Sequence, residues 1–378
     1  MTTTRQLNVE AWVTDAWERT AAKITRNAAE IADTFPHASL NGTYNSCPAH
    51  DWGAGFWPGL LWLVYRENGD ERLRLTAESL ERKLGETLTA YDELHHDVGF
   101  MFSLSSVAQY KLCQDSNARR HGLMAANLLA GRFNPAGDFI RAWPDWDGED
   151  HSGWAIIDCM MNLPLLYWAS EELGDPRYKH IAKRHADMVL RDFLRPEGSS
   201  YHIVCFDPET GERTGALAGQ GYAAESAWAR GTAWALYGFA LSYRYTGEQR
   251  YLDAAKRAAH FFVSRLPEDK VPYWDFLLPD VNGMPRDSSS AAIAASGILE
   301  IAGFAEGPDA AYYRSAAAAI LRSLDENYGA WEEKEQGLLL HATGFYSRNA
   351  YVDVPIIYGD YYFAEALLKL KGQVELFW

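Results

Sequence analysis

Five short turn signals, set between long runs of helical period, constrain the fold of this chain more than any other feature. They are Asn68-Gly69-Asp70, Gln114-Asp115-Ser116, Gly174-Asp175-Pro176, Gly247-Glu248-Gln249 and Gly307-Pro308-Asp309. Each places a helix-stopping Gly or a capping Asp, Ser or Pro between two periodic segments. The spacing predicts helix pairs at 54–68 and 71–89, 98–113 and 116–133, 154–173 and 176–194, 224–246 and 249–266, and 288–305 and 309–328. Helices at 9–33 and 358–371 form a sixth pair. The other connections (34–53, 90–97, 134–153, 195–223, 267–287 and 329–357) are long and alternate with the short turns. Antiparallel helices therefore gather every long loop at one end. The second member of a pair is amphipathic, as in LDAAKRAAHFFVSRL, and the first is apolar almost all round, as in AWALYGFALSYRY. Two concentric layers of six helices make an all-α fold, an (α/α)6 barrel, with residues 1–378 as a single domain. Within 199–217, Asp-Pro-Glu-Thr-Gly predicts a small hairpin.

The 378 residues carry 35 Lys and Arg against 51 Asp and Glu, a net charge of −16. That excess argues against nucleic acid or an anionic membrane surface as partner, while leaving room for a small anionic substrate in a locally positive cleft. Cys47, Cys113, Cys159 and Cys205 are far apart with no Cys-x-x-Cys pair, which fits reduced thiols in cytoplasm better than disulfides or a metal site. The first residues show no apolar signal core, and no uninterrupted apolar stretch reaches membrane-spanning length. There is no phosphate-binding Gly-rich loop and no Gly-x-Ser-x-Gly elbow. A cytoplasmic monomer or small homo-oligomer without metal or organic cofactor is the expectation.

The unusual polar residues fall where the inner helices begin. Asp158 stands inside the apolar run Ala155 to Trp168, where burial raises a carboxyl pKa toward the range useful for acid catalysis. Asn162, four residues on, shares its helix face and is placed to hydrogen-bond it, either structurally or as part of a site. Asp97, in His95-His96-Asp97, is a helix cap or a second functional acid. Asp51, Asp287 and Asp360 precede predicted helices and read as N-caps, with Ser288 to Ser290 also capping. Ser226, Arg230 and Trp234 share one face at spacings of four. Arg230 needs an anionic partner, either Asp97, Asp360 or a ligand carboxylate. The acidic loop Asp138, Asp145, Asp147, Glu149 and Asp150 lacks EF-hand spacing and reads as solvated. His121, His180, His185 and His260 are expected on outer helix surfaces. The 14 Trp and 21 Tyr supply either a wide aromatic core or flat platforms for sugar rings.

The ordered segments DWGAGFWPGLLW, LHHDVGFMFSLS, IIDCMMNLPLLYWA, SSYHIVCFDPETG, WARGTAWALYGFAL, VPYWDF, RDSSSAAI and YGDYYFAEALL together resemble the unsaturated glucuronyl hydrolases of glycoside hydrolase family 88. The resemblance runs from about residue 35 to 370. It implies the same barrel and a substrate with a 4,5-unsaturated uronic acid at its non-reducing end, as lyases leave it. It further implies hydration of the C4=C5 vinyl ether, followed by ring opening and release of the rest of the chain. By the same likeness Asp158 is the acid/base, Asp97 the second essential carboxylate, and His96, His202, Gln220 and Arg230 polar site residues. Trp52, Trp143 and Trp234 match ring-stacking positions. On charge grounds Arg230 is the choice for the uronate carboxylate. The stretch 344–357 does not match residues that some members use for sulfated sugars. The rival readings are an unsaturated rhamnogalacturonyl hydrolase, another inverting (α/α)6 glycosidase, or a non-catalytic oligosaccharide-binding toroid.

Overall fold

A computed structural model of the chain describes residues 11–145, 148–332, 334–372 and 376–378. Helix α1 (Ala11–Ile31) leads into the pair α2 (Phe56–Asn68) and α3 (Glu71–Thr87). Next, α4 (Val98–Phe102) runs through one π turn at Ser103–Val107 into α5 (Ala108–Cys113), and the three segments together pair with α6 (Ser116–Gly131). The remaining pairs are α7 (Leu163–Leu173) with α8 (Pro176–Asp192), α9 (Ala229–Thr246) with α10 (Gln249–Ser264), and α11 (Ser288–Phe304) with α12 (Gly307–Ser323). Helix α13 (Ile357–Leu370) returns beside α1.

The short turns work as their residues require. Gly69, Gly174 and Gly247 adopt φ of 68°, 63° and 68° after α2, α7 and α9, the left-handed geometry that a Cβ disfavours. Asp70, Asp115 and Asp175 then accept backbone N–H groups of the helices that follow. The layers follow burial. Every residue of α13 is buried, whereas α10 buries one face, including Tyr251, Ala255, Ala258 and Phe262. The inner ring closes as α2–α13–α11–α9–α7–α4, with the π turn after α4 packing back on α2. The fold is an (α/α)6 barrel, in agreement with the helix pattern.

The long loops carry short antiparallel strands. They are β1 (Phe35–Leu40) with β2 (Thr43–Cys47); β3 (Phe133–Asn134) with β4 (Phe139–Ile140); β5 (Trp154–Ile156), β6 (Ile203–Phe206) and β7 (Arg213–Leu217) in one sheet; and β8 (Ala342–Phe345) with β9 (Ala350–Val354). The expected hairpin in 199–217 is β6–β7. Residues 154–162 depart from the helix expected there: β5 joins that sheet and a 3-10 turn (Ile157–Met161) follows before α7 starts. A short apolar run does not by itself distinguish strand from buried helix, and β6 supplies the ladder partner.

At the opposite end, Trp378 enters the ring. It stacks on Tyr362 at 6.0 Å and donates its indole N–H to Glu365 Oε2 at 2.7 Å. Among the described residues no helix is long and apolar enough to cross a membrane.

Candidate active site

Asp158 lies on the 3-10 turn, at the loop end of the ring. Its Oδ2 is buried and accepts no hydrogen bond among the described residues, and the side chain keeps 18% exposure. Burial first, and the neighbouring Asp97 charge second, raise its pKa to about 7, with His96 and Arg230 opposing. Asn162 does not bond this carboxyl. A 3-10 turn does not align residues four apart as an α-helix does, so Asn162 Nδ2 reaches only the Asp158 main-chain carbonyl, at 3.3 Å.

The stronger bond of Asn162 Nδ2 goes to Asp97 Oδ1, at 2.8 Å, while its Oδ1 accepts the Phe100 N–H at 2.8 Å. One amide thus ties the two acid-bearing segments together. Asp97 occupies the N-cap position of α4 but makes no capping bond. Its Oδ2 instead faces His96 Nε2 at 3.4 Å and His95 Nδ1 at 3.5 Å. Burial opposes ionisation of Asp97, but the two histidines and the Asn162 bond outweigh it and bring its pKa down to about 2. Burial lowers His95 to about 4 despite Asp97. The close approach of α4 to this turn depends on Gly99, where an added Cβ would stand 2.3 Å from Asn162 Cα. Gly99→Ala is therefore expected to cost about 1–3 kcal/mol of stability in urea unfolding and to depress activity by pushing Asn162 off Asp97.

His202, the residue before β6, is neutral at ordinary pH because burial holds its pKa down at about 3. Its Nδ1 accepts the Gln220 N–H at 2.8 Å, so the proton sits on Nε2, which faces Asp158 Oδ2 at 3.7 Å. Arg230, second residue of α9, is only 2% exposed. Its four terminal N–H groups are used within the protein. Nη1 donates to Asp287 Oδ2 at 3.1 Å and Thr343 O at 2.6 Å, and Nη2 to Gln220 Oε1 at 2.6 Å and Gly344 O at 2.7 Å. The expectation that Arg230 meets a ligand carboxylate is corrected: buried Asp287 is its anion, rather than Asp97 or Asp360. Gln220 is left with its amide N–H groups facing away from this bond. Ser226 lies before the start of α9, and its hydroxyl donates to Asp275 at 2.6 Å.

The aromatic residues divide. Trp143 is half-buried, edge-on to the His96 ring at 6.5 Å, and lines a cavity of about 490 Å³ with Trp154, His202, Gln220, Phe345 and Arg348. Trp52 is half-buried and tilts against Tyr358 at 5.0 Å. Trp234 is 0% exposed, wedged between Phe100 at 5.1 Å and Tyr362 at 5.4 Å, so it supports the floor instead of offering a face to a sugar. Position on an inner helix one turn below Arg230 explains the difference.

Sequence reading placed other residues less well. Asp51 caps a second 3-10 turn (Trp52–Gly55) through the Gly53 N–H, and Asp287 accepts from Ser290 N–H as expected. Asp360 does not cap α13. It is the fourth residue, buried, and accepts the Tyr44 hydroxyl and the Leu338 and Leu339 N–H groups. His185 is fully buried and accepts the Ile140 N–H, and His121 is half-buried against Glu81 at 2.8 Å. Of the acidic loop, Asp145 pairs with Arg141 and Glu149 and Asp150 are exposed; Asp147 lies outside the described residues. Asn162, Asp287 and Trp154 were not foreseen in their present roles, nor were Phe345 and Arg348 as cavity lining.

A helical toroid that gathers two carboxyls of opposed ionisation and an aromatic-lined cavity at its loop end has the architecture of a glycoside hydrolase. Residues 23–362 match the family described as Glycosyl Hydrolase Family 88. The chain is 40% identical to the unsaturated glucuronyl hydrolase of Bacillus sp. (strain GL1), over 93% of this chain and 95% of that one. It is 36% identical to the unsaturated chondroitin disaccharide hydrolase of Streptococcus agalactiae, over 97% and 93%. The crystal structure of the Bacillus enzyme superposes with a TM-score of 0.91, at 38% identity over 96% of this chain and 97% of that one. The chain belongs to glycosyl hydrolase family 88 and is a glycoside hydrolase.

Proposed function

We propose that the protein removes a 4,5-unsaturated uronic acid from the non-reducing end of lyase-generated oligosaccharides by hydrating the C4=C5 vinyl ether. The observation that carries this reading is the pair of carboxyls held apart in ionisation, Asp158 at about 7 and Asp97 at about 2. Protonated Asp158 donates to C4, leaving the positive charge shared by C5 and the ring oxygen. Water adds at C5 and returns a proton to Asp158. The hemiketal then collapses, opening the ring and freeing the rest of the saccharide. Asp97, anionic throughout, keeps Asp158 protonated and stabilises the developing positive charge. Neutral His202, with its proton on Nε2, and the amide N–H groups of Gln220 are the donors for the substrate's polar groups. Arg230 acts through Gln220, which it orients. Trp143 and Trp52 supply apolar faces to the sugar rings.

The names of the similar enzymes, which include glucuronyl and chondroitin disaccharide hydrolases, support a substrate derived from glycosaminoglycans or related uronate polymers. Four free thiols support a reducing, cytoplasmic setting.

Incubation with a panel of unsaturated disaccharides should bleach the ultraviolet absorbance of the conjugated enol ether and yield an open keto-acid. A panel that keeps its absorbance, or an intact sugar as product, overturns the reading. The pH profile is a sharper check. Because Asp158 must start protonated, kcat/KM should fall as pH rises through about 7. Asp97→Asn removes a charge that raises the Asp158 pKa, so this alkaline limb should move to lower pH. An unmoved or upward-shifted limb would show that Asp97 does not act electrostatically on Asp158.

A further inference from the structure

The β1–β2 hairpin and the 3-10 turn that follows it bring together His37, Cys47 and Asp51, none of which the hydrolysis uses. Phe35 pairs with Cys47 across the hairpin, and His37 stands in the irregular stretch between Pro36 and Ser39, where the ladder is interrupted. Asp51 is fixed from below by the Gly53 N–H on its Oδ1, at 2.8 Å. The ring of His37 is held against Tyr351, with centroids 4.8 Å apart. The three residues each present one donor atom, sulfur, nitrogen and oxygen, all within 4.8 Å of one another.

We propose that His37, Cys47 and Asp51 form a binding site for a zinc-class divalent cation, with a water in the fourth position. Two features of the grouping point to a ligand. The first is spacing. Metal bonds of ~2.0–2.3 Å in a tetrahedral shell set neighbouring donors roughly 3.3–3.8 Å apart, and His37 Nδ1 stands 3.5 Å from Asp51 Oδ1. The second is a poorly satisfied donor: His37 Nδ1 is buried, and among the described residues it makes no hydrogen bond and has only that Asp51 oxygen opposite it, at a distance too long for a good one. The donor set is also selective, since thiolate with imidazole favours Zn²⁺ over Mg²⁺ or Ca²⁺. In the metal-free protein Cys47 is a free thiol. Binding therefore exchanges the thiol proton for the metal: the S–H bond breaks, an S–Zn bond forms, and one proton leaves to solvent. Absence of a Cys-x-x-Cys pair had argued against a metal, but folding draws the other two ligands from β1 and the 3-10 turn.

The site stands close to the acid pair. Asp51 and His95 interact electrostatically, and His95 Nδ1 is 3.5 Å from Asp97 Oδ2. His95, His96 and Asp97 themselves form a second group of donors within 4.8 Å, so an experiment has to tell the two apart. Thiolate ligation does so. Titrating the whole protein with Co²⁺ should give one bound ion per chain with a near-ultraviolet thiolate-to-cobalt charge-transfer band and intense tetrahedral d–d bands, both displaced by Zn²⁺. Cys47→Ser should abolish the charge-transfer band, and His37→Ala should weaken binding about tenfold or more. Among the described residues Cys113, Cys159 and Cys205 belong to no such donor group, so the band on the unaltered protein reports Cys47 even where a variant fails to fold. No band, a band that persists in Cys47→Ser, or cobalt bound without thiolate character overturns the assignment.

Discussion

Asp158→Asn is expected to lower kcat by about 10³ to 10⁴-fold, while the dissociation constant for an unsaturated disaccharide changes little. The substitution keeps the shape of the side chain and removes the transferable proton. In the proposed reaction that one group serves twice, first as acid toward C4 and then as base toward water, so no step is spared. Single-turnover absorbance would measure the chemistry, and calorimetric titration the binding. Turnover within tenfold of the original protein would mean that another group moves the proton, and lost binding with lost turnover would assign Asp158 a positioning role instead. The geometry favours lost turnover with binding retained: among the described residues Oδ2 accepts no hydrogen bond, so no donor there depends on it.

Arg230→Met is expected to destabilise the fold by about 3–5 kcal/mol, the usual cost of leaving a buried charge without its partner. Asp287 would retain the Ser289 hydroxyl at 2.5 Å and the Thr343 N–H at 3.3 Å, but lose its only ion pair among the described residues. The carbonyls of Thr343 and Gly344 would lose their donors too, so the β8–β9 hairpin should loosen and KM should rise. The double variant Arg230→Met with Asp287→Leu should recover part of the loss, because neither charge is then stranded. Urea unfolding of the single and double variants tests this. A single-variant loss under about 1 kcal/mol, the range of an exposed pair, would show that the ion pair contributes little.

The frame was legible in the sequence because its determinants are local. Gly69, Gly174 and Gly247 stop helices within a residue or two of themselves, and the apolar runs of α9 and α13 mark them as inner without reference to any partner. The buried carboxyl of Asp158 was legible for the same reason, as a charge among aliphatic neighbours. What escaped depended on distant chain. Asn162 answers to Asp97, 65 residues before it, and Arg230 to Asp287, 57 residues after. Helical spacing suggested partners four residues away, whereas β5 and a 3-10 turn replace the helix that would have aligned them. His185 was expected in solvent because α8 is an outer helix, but that helix has an inward face and the Ile140 N–H needed an acceptor there. Trp234 was expected to offer a flat platform, and its depth in the ring was not readable from residue type.

The segregation of tight turns and long loops to opposite ends has an evolutionary consequence. One rim of the molecule answers to folding, since a lost glycine there puts a side chain in the left-handed geometry of the turn and strains it. The other rim answers to the guest, because the β8–β9 hairpin and its neighbours line the cavity without closing the ring. Mutations can therefore accumulate at the mouth while the staves stay in place, so a lineage can change its diet without having to rebuild its vessel.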